Sequence, residues 1–111
     1  MKITGIRMKE YHFQLDRKMG DANFPEGKID QSGMVLYIDT DEDISGIAVG
    51  EPSSKTSVES LEPFLIGKDP RGVKGLWKRL IDAIFKGGNE GLMNSAVGLI
   101  DIAMWDLKGK I

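Results

Sequence analysis

Residues 94–110 read Asn94-Ser95-Ala96-Val97-Gly98-Leu99-Ile100-Asp101-Ile102-Ala103-Met104-Trp105-Asp106-Leu107-Lys108-Gly109-Lys110. The apolar spacing predicts a helix from Leu92 to Lys110. One face of this helix collects Val97, Ile100, Met104 and Leu107. Further apolar side chains spread over much of the remaining surface, at Leu99, Ile102, Ala103 and Trp105. A helix that is apolar nearly all round is expected to be buried on several sides. A three-stranded meander and two long helices can cover only some of these sides, which indicates a missing neighbour.

Two helices are predicted upstream of this segment. Thr56-Ser57-Val58-Glu59 fits a capping box, which predicts a short helix that ends near Gly67. The next helix is predicted to begin with Asp69 as its N-cap and Pro70 in its first turn, and to end at Gly87-Gly88. Its apolar side chains recur at steps of three and four, which indicates one buried face. They are Val73, Leu76, Trp77, Leu80, Ile81, Ile84 and Phe85.

The N-terminal half has the pattern of strands. Apolar residues from Ile3 to Leu15 alternate but change parity twice, which predicts one long edge strand with an irregularity. A long loop is predicted from Asp16 to Gln31, and loops of that length in compact domains are often functional. Alternation at Met34–Ile38, a turn at Thr40–Asp43 and a return strand at Ile44–Val49 predict a β-hairpin. A second loop follows at residues 51–55.

Length and composition restrict the chemistry. The 111 residues suit one domain, which we place at 1–111, and they can bury enough surface to fold without a disulfide or a metal. The sequence has no cysteine and one histidine, which excludes thiolate sites and cysteine nucleophiles and leaves little for a Ser–His–Asp triad. A net charge of −2 argues against a nucleic-acid partner. Because it has no membrane-length apolar run or secretion signal, we expect no membrane partner and a cytoplasmic protein.

Several patterns have a chemical and a structural interpretation. Asp39, Asp41 and Asp43 are spaced like the start of a calcium loop, but the loop's glycine and glutamate positions hold Ile44 and Gly50. We therefore predict a hairpin turn there. The glycine-rich stretch at residues 87–91 lacks the Gly-Lys-Ser/Thr ending of a phosphate loop and is interpreted as a helix connector. Basic residues of the second helix, which share its polar side with Asp82, are interpreted as a solvated face: Arg71, Lys74, Lys78 and Lys86.

Two acidic residues and the histidine are the remaining candidates for a catalytic or metal-binding role. Asp101 and Asp106 lie in the most apolar helix, where a carboxylate is costly unless it is paired. They are either a buried general acid or metal ligand, or structural groups that cap or pair with a loop, and we favour the structural role. His12 could act as a base, but we expect an ordinary half-buried histidine. No set of residues assembles a nucleophile, a base and an oxyanion site.

The last helix resembles a known family. Residues 94–110 resemble the A-x-x-x-I-D-x-A-x-W-D-x-x-G-K helix of the enolase superfamily, and more narrowly the N-terminal capping domain of the mandelate racemase/muconate lactonizing enzyme group. Met1-Lys2-Ile3-Thr4, the hairpin, residues 65–70 and the Trp77 helix agree in order. The resemblance implies an α+β fold like the enolase N-terminal domain, with a three-stranded antiparallel meander followed by a small helical bundle.

The resemblance also implies where the catalysis takes place. Family members continue into a (β/α)8 barrel that binds Mg²⁺ and supplies the Lys or His acid/base groups that remove a proton next to a carboxylate. We expect that barrel to lie C-terminal to Ile111, so the chain is expected to be a fragment that is inactive alone and binds no metal. Its carboxylate substrate is expected to bind through the barrel, and we expect a homo-oligomer.

In the family, two mobile loops of the cap close over the barrel mouth and contact the substrate. By position they match Asp16–Lys28 and Glu51–Lys55, whose polar side chains suit a hydroxylated acid, so the parent is expected to be a sugar-acid dehydratase or a racemase/epimerase. The expected substrate-binding residues are Arg17, Asp21, Asn23, Phe24, Ser53, Ser54 and Lys55. Two alternatives remain: a stand-alone, non-catalytic binding or interaction module with the same fold, and an enzyme completed by a separately encoded barrel.

Overall fold

The computed structural model describes residues 1–87 and 91–111. In that part of the chain a three-stranded antiparallel sheet is followed by helices, which confirms the predicted α+β class. The glycine-rich connector predicted at residues 87–91 falls partly outside the described residues, at positions 88–90. In chain order the elements are β1 (Ile3–Met19), β2 (Lys28–Thr40), β3 (Ser45–Gly50), α1 (Lys55–Leu61), α2 (Val73–Ile84) and α3 (Gly91–Lys110), with 3₁₀ turns at Pro52–Ser54, Glu62–Phe64 and Phe85–Gly87.

The sheet has the order β1-β2-β3, so β1 lies at an edge as predicted. β1 pairs with β2 in one register from Gly5 to Gln14. β3 is much shorter, and its last residue, Gly50, pairs with Met34 of β2. Beyond that point β1 and β2 continue without β3. This two-stranded extension, residues 11–33, is called the hairpin arm below.

The loop predicted from Asp16 to Gln31 is wrong at both ends. β1 continues to Met19 and β2 begins at Lys28, so only residues 20–27 connect the strands. The pairing shifts register between Gln14 and Met19, which is where the sequence loses its alternation. Nearly all side chains of the arm are exposed, on both faces of the sheet. Because neither face is buried, the sequence has no alternation of apolar and polar residues that would predict a strand there.

The two predicted changes of parity in β1 have different origins. The first coincides with a register irregularity between Ile3 and Gly5. The second, between Met8 and Tyr11, involves no irregularity, because the pairing is regular there. Met8 packs against the core from the helix-covered face of the sheet, whereas Tyr11 lies on the opposite face, where its ring covers the cross-strand Gly33.

The core lies between the sheet and α3. The predicted inner face of α3 is confirmed, since Val97, Ile100, Met104 and Leu107 are at most 1% exposed. Two glycines of the last β-hairpin allow the close approach. A Cβ atom at Gly46 would overlap the carbonyl oxygen of Ala103, and one at Gly50 would lie 2.9 Å from the methyl groups of Leu99. α3 can therefore rest directly on the β3 backbone.

Both predicted helix starts are wrong. α1 begins at Lys55, one residue before the predicted cap Thr56, because the 3₁₀ turn at Pro52–Ser54 leads directly into it; no side chain caps it. α2 begins at Val73, after Gly72. The carboxylate of Asp69 instead accepts hydrogen bonds from the Arg71 backbone and guanidinium, which forms a turn ahead of the helix.

Apolar side chains also remain on the surface. Of the predicted α2 stripe, Val73, Leu76, Leu80 and Ile84 are buried, but Trp77 is 44% exposed and Phe85, which follows the end of α2, is 73% exposed. In α3, Ile102 and Trp105 are 59% and 46% exposed, because no described element packs on that face. None of the described helices is long and apolar enough to span a bilayer.

Two carboxylates of α3 have opposite environments. Asp106 accepts the Ile47 backbone N–H at 2.9 Å and pairs with the Lys110 ammonium at 2.7 Å, and these two contacts hold its pKa below the ordinary value. This confirms the structural role for Asp106. Asp101 is half-buried and accepts no hydrogen bond from the described residues, and burial raises its pKa.

Replacing Gly46 with alanine is expected to destabilise the chain by about 2 kcal/mol, because the new methyl group meets a backbone carbonyl that cannot rotate away. Gly75→Ala is the matched control. Gly75 lies exposed inside α2 with no atom within 4 Å of an added Cβ, so alanine is expected to stabilise by about 1 kcal/mol. Urea unfolding of both variants measures the difference. Equal stabilities would contradict the close contact of α3 with β3.

Asp101→Asn and Asp106→Asn are expected to have opposite effects at pH 7. The lowered pKa of Asp106 means that its stabilisation is present above about pH 3.9 and lost as the pH falls, so the variant loses about 0.5 kcal/mol at pH 7. The raised pKa of Asp101 means that its ionised form opposes folding, so that variant gains stability at pH 7. Thermal unfolding between pH 2 and 7 tests this, and both differences should vanish at the acid end. Shifts of the same sign would contradict it.

Candidate functional site

The two loop segments expected to contact substrate lie at the same end of the sheet. β3 ends at Gly50 opposite Met34, and the chain continues directly into Glu51–Lys55. The hairpin arm projects beyond the same end. From Met34 to Lys28 β2 extends by six positions, about 20 Å, so the tip stands well beyond the Glu51–Lys55 segment. Both segments therefore project from the same end of the sheet.

The tip of the arm is a preformed turn. The Asp21 carboxylate accepts the backbone N–H groups of Asn23 and Phe24 at 2.8 and 2.9 Å. The backbones of Asp21 and Phe24 also exchange two hydrogen bonds of 3.1 Å, and the Gly27 N–H donates to the Phe24 carbonyl at 3.0 Å. Gly27 has φ +80°, which favours glycine. Asp21 is thus engaged in holding the turn, while Asn23 remains exposed.

Side chains at the base of the tip are cationic. Arg17 and Lys18 lie exposed in the irregular stretch of β1 between Gln14 and Met19. Lys18 and Lys28 line one shallow groove together with Gly27, Ile29 and Asp30. The Lys28 ammonium lies 3.8 Å from the centre of the Phe24 ring, a cation–π contact that orients this half-exposed aromatic side chain. The arm can therefore offer positive charge and one aromatic face to an anionic ligand.

The second segment is a 3₁₀ turn, closed by the Ser54 N–H and the Glu51 carbonyl at 3.0 Å. Ser53 and Lys55 are exposed, but Ser54 is only 6% exposed and leads into α1. This turn faces α3 across a largely apolar groove. The groove is lined by Gly50, Glu51, Ser54, Ser95, Gly98, Leu99 and Ile102.

The α3 wall of this groove was not predicted. Ser95, Gly98 and Ile102 recur at steps of three and four, so the helical period did place them on one face. The sequence interpretation expected part of the apolar α3 surface to lack a covering element but did not place that part on this face, which is open to solvent. The small residues Ser95 and Gly98 leave space between α3 and the Glu51–Lys55 turn.

His12 is exposed on β1, so the expected half-buried position is wrong. It borders a shallow groove on the arm with Gln14 and Asp30, and the Gln14 amide donates to the Asp30 carboxylate at 3.0 Å. This region of the arm has no buried face, which explains the exposure. No side chain among those lining the groove is a nucleophile paired with the imidazole.

The remaining charged candidates have structural partners. Asp39 binds Arg7 and the Ser45 hydroxyl, and the Arg7 guanidinium holds the pKa of Asp39 below its ordinary value. Asp41 accepts the Lys2 N–H at 2.9 Å, and residues 41–44 form the predicted hairpin turn. On α2, Lys78 pairs with Asp82 at the exposed surface, as a solvated face requires.

The donor groups needed for a magnesium ion are not brought together in the described part of the chain. No cluster of three or more carboxylate or imidazole side chains occurs within residues 1–87 and 91–111. Asp101, although half-buried, belongs to no such cluster among these residues. The described residues therefore form no Mg²⁺ site of the kind that the family resemblance assigns to the C-terminal barrel, and no chemical step is assigned to a metal held by them.

Comparison with known proteins gives a consistent family. Residues 27–111 match the family described as mandelate racemase / muconate lactonizing enzyme, N-terminal domain. D-galactarolactone cycloisomerase from Agrobacterium fabrum is 33% identical over 115 residues, covering 99% of this chain and 29% of that protein. D-galactonate dehydratase from Ralstonia nicotianae is 39% identical over 85 residues, covering 70% of this chain and 22% of that protein.

Solved structures agree with the sequence comparisons. L-talarate dehydratase from Polaromonas sp. JS666, in a complex with Mg and L-glucarate, superposes with a TM-score of 0.79 at 28% identity, covering 98% of this chain and 32% of that one. This chain thus spans less than a third of the length of each relative compared here. With the family match over residues 27–111 and the agreement in fold, the chain belongs to the mandelate racemase/muconate lactonizing enzyme N-terminal domain family of the enolase superfamily.

Proposed function

We propose that this chain is the substrate-specificity cap of a Mg²⁺-dependent enzyme that removes a proton next to a carboxylate, and that the parent enzyme is a sugar-acid dehydratase or racemase/epimerase. The observation that carries this proposal is the placement of the arm tip and the Glu51–Lys55 segment at one end of the sheet, in a domain of this family. The arm extends from β1 and β2 and the second segment follows β3, so both project from the same end of one sheet and can face the same barrel mouth.

The relatives support an acid sugar as the substrate class. Those compared above are named for galactarolactone, galactonate and talarate, and the structure of the last contains L-glucarate. The exposed polar side chains of the two segments fit such a ligand. Arg17 and Lys55 can bind carboxylate oxygens, while Asn23 and Ser53 can hydrogen-bond hydroxyl groups. A site built to hydrogen-bond hydroxyls rejects substrates that lack them.

The expected substrate-binding residues divide into two roles in this proposal. Arg17, Asn23, Phe24, Ser53 and Lys55 are exposed and are proposed to touch the ligand. Asp21 and Ser54 are proposed to act as positioning residues. Asp21 already accepts two backbone N–H groups within the tip, and the Ser54 side chain is buried at the start of α1.

The proton transfer itself is proposed to take place outside residues 1–111, in a C-terminal (β/α)8 barrel that holds the Mg²⁺ ion. This division rests on the family resemblance, in which the barrel supplies the metal ligands and the acid/base groups. The contribution of the cap is to cover the barrel mouth, exclude water and fix the distal end of the substrate. Each of these tasks depends on shape and polar contacts, which the arm and the Glu51–Lys55 segment supply.

The test is a fusion in which residues 1–111 replace the N-terminal domain of the Ralstonia nicotianae D-galactonate dehydratase. We expect Mg²⁺-dependent dehydration of an acid sugar by the fusion and no turnover by the purified chain alone. In the fusion, Arg17→Ala is expected to raise KM about tenfold with a smaller change in kcat, because a charged contact to the bound substrate is lost. A panel of aldonic acids, aldaric acids and mandelate measures the specificity.

Arg71→Ala is the control, because this exposed cation pairs with Asp69 ahead of α2 and lies outside both substrate segments. It should leave KM unchanged. Turnover by the purified chain would show that catalysis does not depend on a barrel. Binding of an acid sugar by the chain alone, with an inactive fusion, would favour a stand-alone binding module.

The tip itself can be tested without a substrate. Asp21→Ala removes the carboxylate that accepts the Asn23 N–H, so amide hydrogen exchange at Asn23 should accelerate about tenfold, whereas the Phe24 N–H keeps the Asp21 backbone carbonyl as acceptor and should change less. Asp21→Asn keeps a carbonyl oxygen and should restore most of the protection. Asp16→Ala, an exposed carboxylate on the same arm, is the control. Unchanged exchange in Asp21→Ala would show that the carboxylate does not hold the tip.

A further inference from the structure

The outer edge of β1 is open over its central part. The Ile6 N–H donates to the Glu62 carboxylate at 3.0 Å, so it points away from β2. Alternate residues of a strand direct their backbone groups to the same side, and the pairing with β2 is regular from Ile6 to Gln14. The residues that direct N–H and C=O groups away from the sheet are therefore Met8, Glu10, His12 and Gln14.

Other parts of the sheet edges are covered, except the β2 edge between residues 28 and 33, which lies beyond the end of β3 and is shorter than the open part of β1. At the start of β1, the Ile3 N–H donates to the Lys68 carbonyl at 2.9 Å and the Ile3 carbonyl accepts the Gly67 N–H at 2.8 Å. At β3, Asp106 accepts the Ile47 N–H and Lys110 donates to the Ser45 carbonyl, both at 2.9 Å. No described backbone group pairs in this way with the β1 edge between residues 8 and 14.

The arm also lacks a stabilising face. Tyr11 and Phe13 stack with ring centroids 6.0 Å apart and are 36% and 47% exposed on the face away from the helices. A two-stranded ribbon is at best marginally stable in water and is strengthened by a third strand. An open edge with aromatic residues beside it is a template for strand addition.

We propose that a second copy of this chain occupies this edge, with the two β1 strands antiparallel about a two-fold axis at Tyr11. Side-chain complementarity favours this register. Hydrogen-bonded pairing requires the outward residues to face one another, and centring on Tyr11 places Glu10 opposite His12 of the partner subunit and Met8 opposite Gln14 of the partner subunit. An axis at Glu10 would place the two Glu10 carboxylates of the dimer opposite one another, which is unfavourable. An axis at His12 would place the two His12 side chains opposite one another and would lose the pairing of Glu10 with His12.

The opposite face of the sheet favours the same register. Centring on Tyr11 places Lys9 opposite Phe13 of the partner subunit, where an ammonium group over an aromatic ring gains a cation–π contact. No two like charges then face one another between residues 8 and 14. Registers centred further towards either end shorten the paired segment, because the Ile6 N–H is already bonded to Glu62. The two copies would form one continuous sheet, independently of the proposed enzymatic role.

The register can be tested with a single cysteine, because the natural chain has none. Tyr11 lies on the proposed axis as a non-hydrogen-bonded pair, with Cα atoms about 4.5 Å apart, which is within reach of a disulfide. Tyr11→Cys is therefore expected to form a disulfide-linked dimer under mild oxidation. Phe13→Cys is the matched control and should not, since position 13 faces position 9. Equal cross-linking of both variants, or none in either, would overturn the register.

The energetics are tested by sedimentation equilibrium of the 111-residue chain. We expect a dimer whose dissociation constant rises about tenfold in Glu10→Lys and recovers in the swapped pair Glu10→His with His12→Glu. His12→Pro removes an N–H that points away from β2, so the fold should persist in circular dichroism while the dimer is lost. Glu59→Lys, an exposed charge reversal on α1, is the control. A monomer at all concentrations, or a dimer unaffected by Glu10→Lys and His12→Pro, would overturn the proposal.

Discussion

The direct contact between α3 and the β3 backbone is the constraint on which the rest of the structure depends. It exists because Gly46 and Gly50 have no side chains where Ala103 and Leu99 approach. With this contact in place, the apolar face of α3 can reach the middle strand, whose inward side chains, such as Leu36 and Ile38, are completely buried. A bulkier residue at Gly46 would lift the helix and open the core along its length.

The same contact fixes the geometry of the candidate site. α3 anchors the end of β3 at Gly50, and the Glu51–Lys55 segment begins at the next residue, so its position follows from the helix–strand packing. α3 also closes the outer edge of β3 through Asp106 and Lys110. α3 thus contributes many of the core side chains, covers the outer edge of β3 and forms one wall of the apolar groove. It does not cover the outer edge of β1.

The sequence predicts those parts of the fold in which one face is buried. The period of α3 identified its inner face, and the alternation around Met34–Ile38 identified the hairpin, because burial imposes those periods. It could not predict the length of the arm, which is exposed on both faces. The helix starts also escaped prediction: Thr56 and Asp69 are suitable caps, but a 3₁₀ turn and a local pairing with Arg71 took precedence.

The site could be predicted only as segments of chain, because the role of each side chain depends on local geometry. Asp21 and Asn23 are both short polar residues that could bind a ligand. The Asp21 carboxylate, however, accepts backbone hydrogen bonds within the turn, whereas the Asn23 side chain is exposed. The register irregularity between Gln14 and Met19 has a comparable effect, since it interrupts the pairing where Arg17 and Lys18 emerge. A strand irregularity redirects side chains without moving the rest of the sheet. Changes in the arm can therefore alter the side chains that it exposes while the contact of α3 with β3, and hence the fold, stays the same.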